Sequence, residues 1–487
     1  MIFPDKPTFS ALAKRFNRIP IYREMNIDEP GMLLMLKVLS EKNDVIFLES
    51  LGKNSSNTRF SYLGIRPRHS LSLQSGAVYR NDSMISPRGE DLFIHLRNAI
   101  EEFATPVFEK FGTYSGGYTG YFGYEAVNYC GTLRKKISES ENVPQAYLLM
   151  IDDFICHDNL TGKYYIASCA YPQQESGCYD TVCDYLLALE TEIIAEISKT
   201  TLPYIPLRAD HVEQEFCESK EDFMEKVRRV KEQIYAGEAL QVVLSMRAMI
   251  GSDVDPYLFY LRLRKLNPSP YMFYFNTDKF TIVGSSPEVH VKTEGRRATL
   301  KPIAGTIKRV DDEKTNLENR KKLLGDPKER AEHLMLVDLA RNDLSRIAIA
   351  ESVEVESFMQ PEDYSHVIHL VSLVTSELAP EKNIIDVLRE SFPAGTVSGA
   401  PKVRAIEIID EHETIARGMY AGALGYIGFN GNMDTCITIR TAYFTPEGNY
   451  LQAGAGIVQD SIPENEYLEI CSKLRALAIS APFALKA

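Results

Sequence analysis

Through roughly the first two hundred positions, apolar and polar residues alternate in short segments bounded by Gly, Asn and Pro. Residues 45–50, Val-Ile-Phe-Leu-Glu-Ser, and 164–169, Tyr-Tyr-Ile-Ala-Ser-Cys, therefore predict strands, with occasional helices between such segments. The run Gly-Gly-Tyr-Thr-Gly-Tyr-Phe-Gly-Tyr at 116–124 predicts a strand whose missing side chains let another backbone come close. Helical spacing marks 220–236, which Gly237 can cap. It marks 327–340 as well, where Pro327 suits the first turn and Ala331, Leu334, Met335, Val337 and Leu339 predict an apolar stripe. Two further helices are expected at 401–412 and 464–477. Helices do not alternate strictly with strands, so the fold class is mixed α/β (α+β) with antiparallel sheets. A chain of 487 residues exceeds what one core usually supports. The text turns Pro- and Leu-rich near 200–206 and then polar, which divides the chain into an N-terminal lobe, 1–212, and a second lobe, 213–487.

Charge and composition narrow the partners. A formal net charge of -13 argues against nucleic acid and anionic membrane, which need basic faces. No stretch reaches the roughly 18 uninterrupted apolar residues of a membrane helix. Pro4, Asp5, Lys6 and Lys14 interrupt the apolar residues of the N-terminus, so a secretory signal is not expected and the cytoplasm is. The eight cysteines form no CxxC pair and no metal-finger spacing, which reads as reduced, structural thiols.

Three constellations are candidates for chemistry. Glu329 with Glu332, and Glu466 with Glu469, are spaced i, i+3 on expected helices, so each pair shares a face. Most such pairs lie on solvated faces, but two facing pairs of hard oxygen ligands would suit magnesium. Lys473, one turn beyond Glu469, suits either an i, i+4 ion pair or an arm to an anionic substrate. Glycine-containing loops occur at 302–306 (PIAGT), 393–402 (PAGTVSGAPK) and 453–457 (AGAGI). The second departs from a P-loop at its second glycine and its lysine, and in the third Gln459 replaces the last glycine of a dinucleotide fingerprint. Their amides remain suited to an anion. In Tyr-Ser-His-Val-Ile-His at 364–369, alternation puts Val367 and His369 on one face and His366 on the other, against joint metal binding. A single histidine on an apolar strand is more often a satisfied core residue than a catalyst.

Taken together and in this order, these strings resemble the chorismate-utilising enzyme family over most of residues 220–480. The likeness is carried by GSSPE at 284–288, PIAGT, EHLMLVDLARND at 332–343, the segment ending at His369, PAGTVSGAPK, DTCITIR at 434–440 and AGAGIV. It implies a large α/β structure with facing sheets and helices outside. It implies that Glu332 and Glu469 hold Mg2+, with Glu329 and Glu466 beside them through waters. Arg440 and Lys473 match positions that hold substrate carboxylates, completed by Thr306, Tyr420 and the amides near Gly305, Gly454 and Gly456. Glu288 matches the general acid that protonates the departing 4-hydroxyl of chorismate, and His369 the histidine associated with pyruvate elimination.

Within the family, aminodeoxychorismate synthases commonly carry PIKGT, whose lysine is a nucleophile, and here Ala304 stands in its place. Isochorismate and salicylate synthases activate water with a lysine where this chain has Gln241. Ammonia is therefore the expected nucleophile, and anthranilate and pyruvate the products. No cysteine lies in the G-x-C-x-G setting of a glutamine amidotransferase nucleophile, so a separate glutaminase subunit is the expected partner in a hetero-oligomer. Glu49 and Ser50, with Pro270, Tyr271 and Met272, resemble the tryptophan feedback site of the anthranilate-forming members.

Overall fold

The strand Val45–Glu49 finds its neighbour more than two hundred residues away, pairing antiparallel with Tyr271–Asn276 so that Leu48 faces Phe273. The structure is a computed structural model that describes all residues except 28–29, 52–58, 88–90, 141–142, 175–176, 206–214, 365–366 and 482–487. Among the described residues two wide sheets form, and the strands within them pair antiparallel. One sheet of 13 strands runs from Ile2–Phe3 through Val45–Glu49, Tyr271–Asn276 and Gly448–Ile457 to Gln241–Ile250 and Glu215–Phe216. The other, of 12, runs from Ile303–Lys308 and Val367–Glu377 through Ala423–Ile427 and Gly117–Phe122 to Ser83–Ser86.

Period-2 alternation explains how the first sheet is covered on both sides. Ile46, Phe273, Phe275 and Ile282 join Tyr121, Leu148 and Leu424 of the second sheet in one core. Their sequence neighbours Val45, Phe47, Met272, Tyr274 and Val283 turn the other way. They pack in a second core with Met35 and Leu39 of the helix Gly31–Ser40, Phe259 and Leu263 of Pro256–Leu266, and Leu474 of Pro463–Ala478. A strand buried on both faces reads as a near-continuous apolar run, so Val45 to Leu48 are apolar throughout rather than alternating as expected. Each such side chain contributes about 1.5–3 kcal/mol by leaving water.

The expected helices form as Lys220–Tyr235, Pro327–Ser345, Lys402–His412 and Pro463–Ala478. The second is started by Asp326, whose side chain accepts hydrogen bonds from the amides of Lys328 and Glu329, with Pro327 in the first turn. Its buried stripe differs from the expected one: His333, Leu336, Val337, Ala340 and Leu344 face inward, and Leu334 is exposed. The stripe is rotated because His333 is satisfied inside, held by the Ser372 hydroxyl at 2.6 Å and the Ala304 carbonyl at 3.3 Å. The glycine-rich run forms the strand Gly117–Phe122, and the chain then turns into the 3-10 segment Tyr124–Tyr129. All eight cysteines are free, and among the described residues no helix is long and apolar enough to cross a membrane.

The expected lobe boundary, between residues 212 and 213, lies outside the described residues, while strands from either side of it share both sheets. Residues 1–205 produced alone would lack the partner strands Tyr271–Asn276 and Ala423–Ile427. We expect that fragment to give no cooperative urea transition by circular dichroism, and co-production with 215–487 to restore one. A sharp transition in the isolated fragment would show that the interleaving is not a folding requirement.

Candidate active site

One cavity of about 730 Å³ opens where the two sheets approach each other, and it gathers the side chains expected to act together. The first sheet supplies Gln241 and Val243 from Gln241–Ile250, and Gly454 and Gly456 from Gly448–Ile457. The second supplies Ala304, Gly305 and Thr306 from Ile303–Lys308, and Val367 and His369 from Val367–Glu377. Val367 and His369 share the cavity side, as alternation requires, while His366 lies outside the described residues. The helices Pro327–Ser345 and Pro463–Ala478 bring Glu329 and Glu332, and Glu466, Glu469 and Lys473, to the same space. Arg440, Tyr420 and Glu288 complete the wall.

Local backbone geometry aims several of these groups. Register shifts between Ala304 and Thr306, with Gly305 at φ +80° as the extra residue, so the pairing bulges beside His369. Gly454 is required by close approach: a Cβ there would meet the Tyr420 hydroxyl at 2.8 Å and the Leu244 carbonyl at 2.9 Å. Arg440 and Ala421 hold left-handed backbone at φ 53° and 62° without being glycine, a strained conformation that persists where surrounding structure imposes it. The Arg440 carbonyl accepts from the Ser285 amide at 3.1 Å, and the Ala421 amide donates to Thr438 at 3.0 Å.

Electrostatics give the groups distinct states. His369 Nδ1 lies 3.1 Å from the Gly305 carbonyl, which can only accept, so Nδ1 carries the proton and Nε2 keeps its lone pair. The Thr306 hydroxyl is 3.0 Å from the same nitrogen, and the Tyr364 ring packs edge-on at 5.1 Å. Burial lowers the affinity of His369 for a second proton, the Gly305 contact opposes this, and the Arg440 charge adds to it. Burial pushes the Glu288 carboxyl up to about 7, with the Thr396 hydroxyl working the other way. The Arg440 guanidinium is itself held below its ordinary value by burial.

The four helix carboxylates face one space without closing on a point. Among the described residues no three acidic, histidine or cysteine side chains converge as a ready-made metal cluster. Glu332 is held above its ordinary value first by burial and then by the charge of Glu329, with Glu469 adding to it. Gln241 Nε2 lies 3.4 Å from Glu332, and a Glu329 oxygen accepts from the Thr306 amide at 3.2 Å. Lys473 makes the i, i+4 ion pair with Glu469 at 2.7 Å and also donates to the Gly454 carbonyl at 2.8 Å. Lys328, Tyr364 and Gln452 also line the cavity and were not singled out from the sequence. Lys328 stands next to Glu329 and Tyr364 opens the segment that ends at His369, so proximity to the motifs was their only signal.

A second cavity, of about 220 Å³, also lies between the sheets and is bordered by Glu49, Ser50, Pro270, Tyr271 and Met272. Glu49 commits both carboxylate oxygens to Arg264, at 2.7 and 2.8 Å, and one of them also to the Tyr260 hydroxyl. Ser50 Oγ is buried without a hydrogen-bond partner. Asp434 borders the same cavity, its carboxyl pushed by burial up to about 6 and accepting from the Tyr271 hydroxyl at 3.0 Å.

Comparison with known proteins matches residues 45–478 to the model of the chorismate binding enzymes. The chain belongs to this family. Among its relatives, the anthranilate synthase component 1 of Aquifex aeolicus is 39% identical over 473 residues, 96% of this chain and 95% of that protein. That of Acetivibrio thermocellus is 36% identical over 485 residues, 98% of each. The crystal structure of anthranilate synthase component I from Streptococcus pneumoniae superposes with a TM-score of 0.76 at 32% identity, covering 88% of this chain and 94% of that one. A menaquinone-specific isochorismate synthase from Escherichia coli shares the fold, with a TM-score of 0.69 at 19% identity over 98% of each chain.

For this member of the chorismate-binding enzymes the geometry makes His369 neutral at pH 7 with Nε2 free to accept. A 15N-resolved NMR titration is expected to show Nδ1 protonated and the ring titrating below the ordinary histidine value of about 6.5. A midpoint above that value would refute the assigned state.

Proposed function

We propose that this chain is the chorismate-converting, ammonia-using component of an anthranilate synthase. The observation that carries the reading is the single cavity in which Glu288, His369, Arg440 and the four helix carboxylates meet. Ala304 and Gln241 choose within the family, because neither offers the amine that would attack the ring or activate water. The relatives named component 1 support a second component. No cysteine of this chain has the setting of a glutaminase nucleophile, which assigns ammonia release from glutamine to that partner.

Arg440, Lys473 and Tyr420 would hold substrate carboxylates, the Arg fork suiting a planar carboxylate in two-point contact. Glu332 and Glu469 fit Mg2+, with Glu329 and Glu466 reached through waters, since a cation would relieve the mutual repulsion that Glu332 registers. When bound, that ion supplies positive charge to the substrate's ring carboxylate. Ammonia forms a bond to C2, the ring double bonds shift, and the C4–O bond breaks. Glu288 gives its proton to that oxygen, which leaves as water. The added nitrogen gives up a proton to solvent, a base takes the C2 proton as the ring C3–O bond breaks, and the departing enolpyruvate takes a proton at its methylene carbon to become pyruvate, leaving anthranilate. The free Nε2 of His369 is the group placed to handle a proton in this second half.

The second cavity supports tryptophan as an inhibitor, with the unpartnered Ser50 hydroxyl as a contact awaiting a ligand group. Binding at one cavity then weakens binding at the other by the same factor.

Purified chain with chorismate, Mg2+ and ammonium is expected to release fluorescent anthranilate, to be silenced by chelator, and to be inhibited by tryptophan. Ser50→Val is expected to weaken that inhibition about tenfold while leaving turnover intact. An isochorismate or aminodeoxychorismate product would sink the assignment.

Glu288 also sets a pH dependence. A carboxyl raised to about 7 is protonated below that pH and loses its proton above it. With free ammonia held constant, kcat/KM for chorismate is expected to fall about tenfold per pH unit above 7, and Glu288→Gln to lose about 10²–10⁴-fold. A flat profile would remove Glu288 from the acid role.

A further inference from the structure

We infer that Arg417, which does not touch the cavity, is a positioning residue that sets its carboxylate-holding end through a buried ion pair with Glu413. The inference rests on the reading that this cavity takes chorismate. The Arg417 side chain is 2% exposed and that of Glu413 is 7% exposed. Arg417 Nε donates to Glu413 Oε2 at 2.8 Å and Nη2 to Oε1 at 2.8 Å. Its remaining donors reach two cavity walls: Nη1 donates to the Val397 carbonyl at 2.7 Å and Nη2 to the Val243 carbonyl at 2.6 Å. The third wall is Tyr420, whose amide donates to the Arg417 carbonyl at 3.2 Å and whose ring lies 5.8 Å from the guanidinium. Glu413 extends the brace, accepting from the amide and hydroxyl of Ser245 at 2.7 and 3.0 Å.

Physical chemistry favours a positioning role over a purely stabilising one. Removing two charges from water costs several kcal/mol, and apolar pairs of similar volume serve stability as well or better. What an apolar pair cannot do is bind two carbonyls on separate segments at fixed directions. The planar guanidinium fork does this, and lysine, with one nitrogen, holds fewer of these contacts. Tyr420 in turn presses its hydroxyl against Gly454, so a displaced Tyr420 opens the anion-holding corner. The neighbourhood of His369 and Thr306 is built on a different strand pair and does not lean on Arg417.

The test compares steady-state kinetics with free ammonium in Arg417→Lys and in the double variant Arg417→Met with Glu413→Met. The double variant removes both charges together and avoids a lone buried one. We expect it to fold with a lowered thermal midpoint, because the Val243 and Val397 carbonyls and the Ser245 amide lose their partners, its KM for chorismate to rise about tenfold or more, and kcat to stay within about threefold. Arg417→Lys is expected to fall between, as partial rescue. A folded double variant with wild-type KM overturns the inference. So does one in which kcat falls as far as kcat/KM with KM unchanged, or failure of both variants to fold, which would make the pair a folding element only. Absence of anthranilate from the wild-type chain is a separate outcome that removes the functional reading itself.

Discussion

Two wide antiparallel sheets that must each bury a face against the other are the constraint on which the molecule depends. Neither sheet can be completed from one end of the chain, because strands such as Val45–Glu49 and Gly117–Phe122 are hydrogen-bonded to Tyr271–Asn276 and Ala423–Ile427. Where the packing between the sheets is continuous, aromatic side chains fill it, as with Tyr121, Phe275 and Phe280. Where it is interrupted there are cavities, and the two described above lie between strands of the two sheets. The fold thus leaves these cavities in gaps between its sheets rather than under added loops.

The two cavities share covalent structure. Asp434 and Cys436 of Met433–Ile437 border the smaller one, and Arg440, three residues beyond that strand, borders the larger. The Ile437 amide donates to the Glu288 carbonyl at 3.0 Å, and Val289 pairs with Cys436. A ligand that displaced this strand in the smaller cavity would be felt at an acid and a cation of the larger through rigid backbone. No chain of mobile side chains is needed.

Much of this was legible in the sequence for identifiable reasons. The i, i+3 carboxylate pairs share a helix face whatever lies opposite, and the alternation that placed Val367 with His369 is local geometry. The apolar stripe of Pro327–Ser345 was misjudged because burial of His333 depends on Ser372 and Ala304, which only the folded chain brings near. The enclosed Arg417 was not legible for the same reason: its partners Val243 and Val397 are distant in sequence, and composition cannot reveal which arginine will be enclosed. Glu49 borders the smaller cavity and is also paired with Arg264, a contact spanning 215 residues that the sequence does not reveal.

The carboxylates of the larger cavity bear on how the proposed Mg2+ would act. Four acids around one space without a three-ligand cluster make a poor site for an ion on its own. Magnesium keeps several waters and binds through one or two carboxylates together with an anionic ligand, so substrate oxygens would complete what Glu332 and Glu469 begin. The same logic assigns Lys473 two states. In one its ammonium pairs with Glu469 and donates to the Gly454 carbonyl. An ion drawn to Glu469 would release that ammonium toward an arriving carboxylate. Ion and substrate would then each improve the site for the other, which makes their binding mutually dependent by linkage rather than by any preformed metal cage.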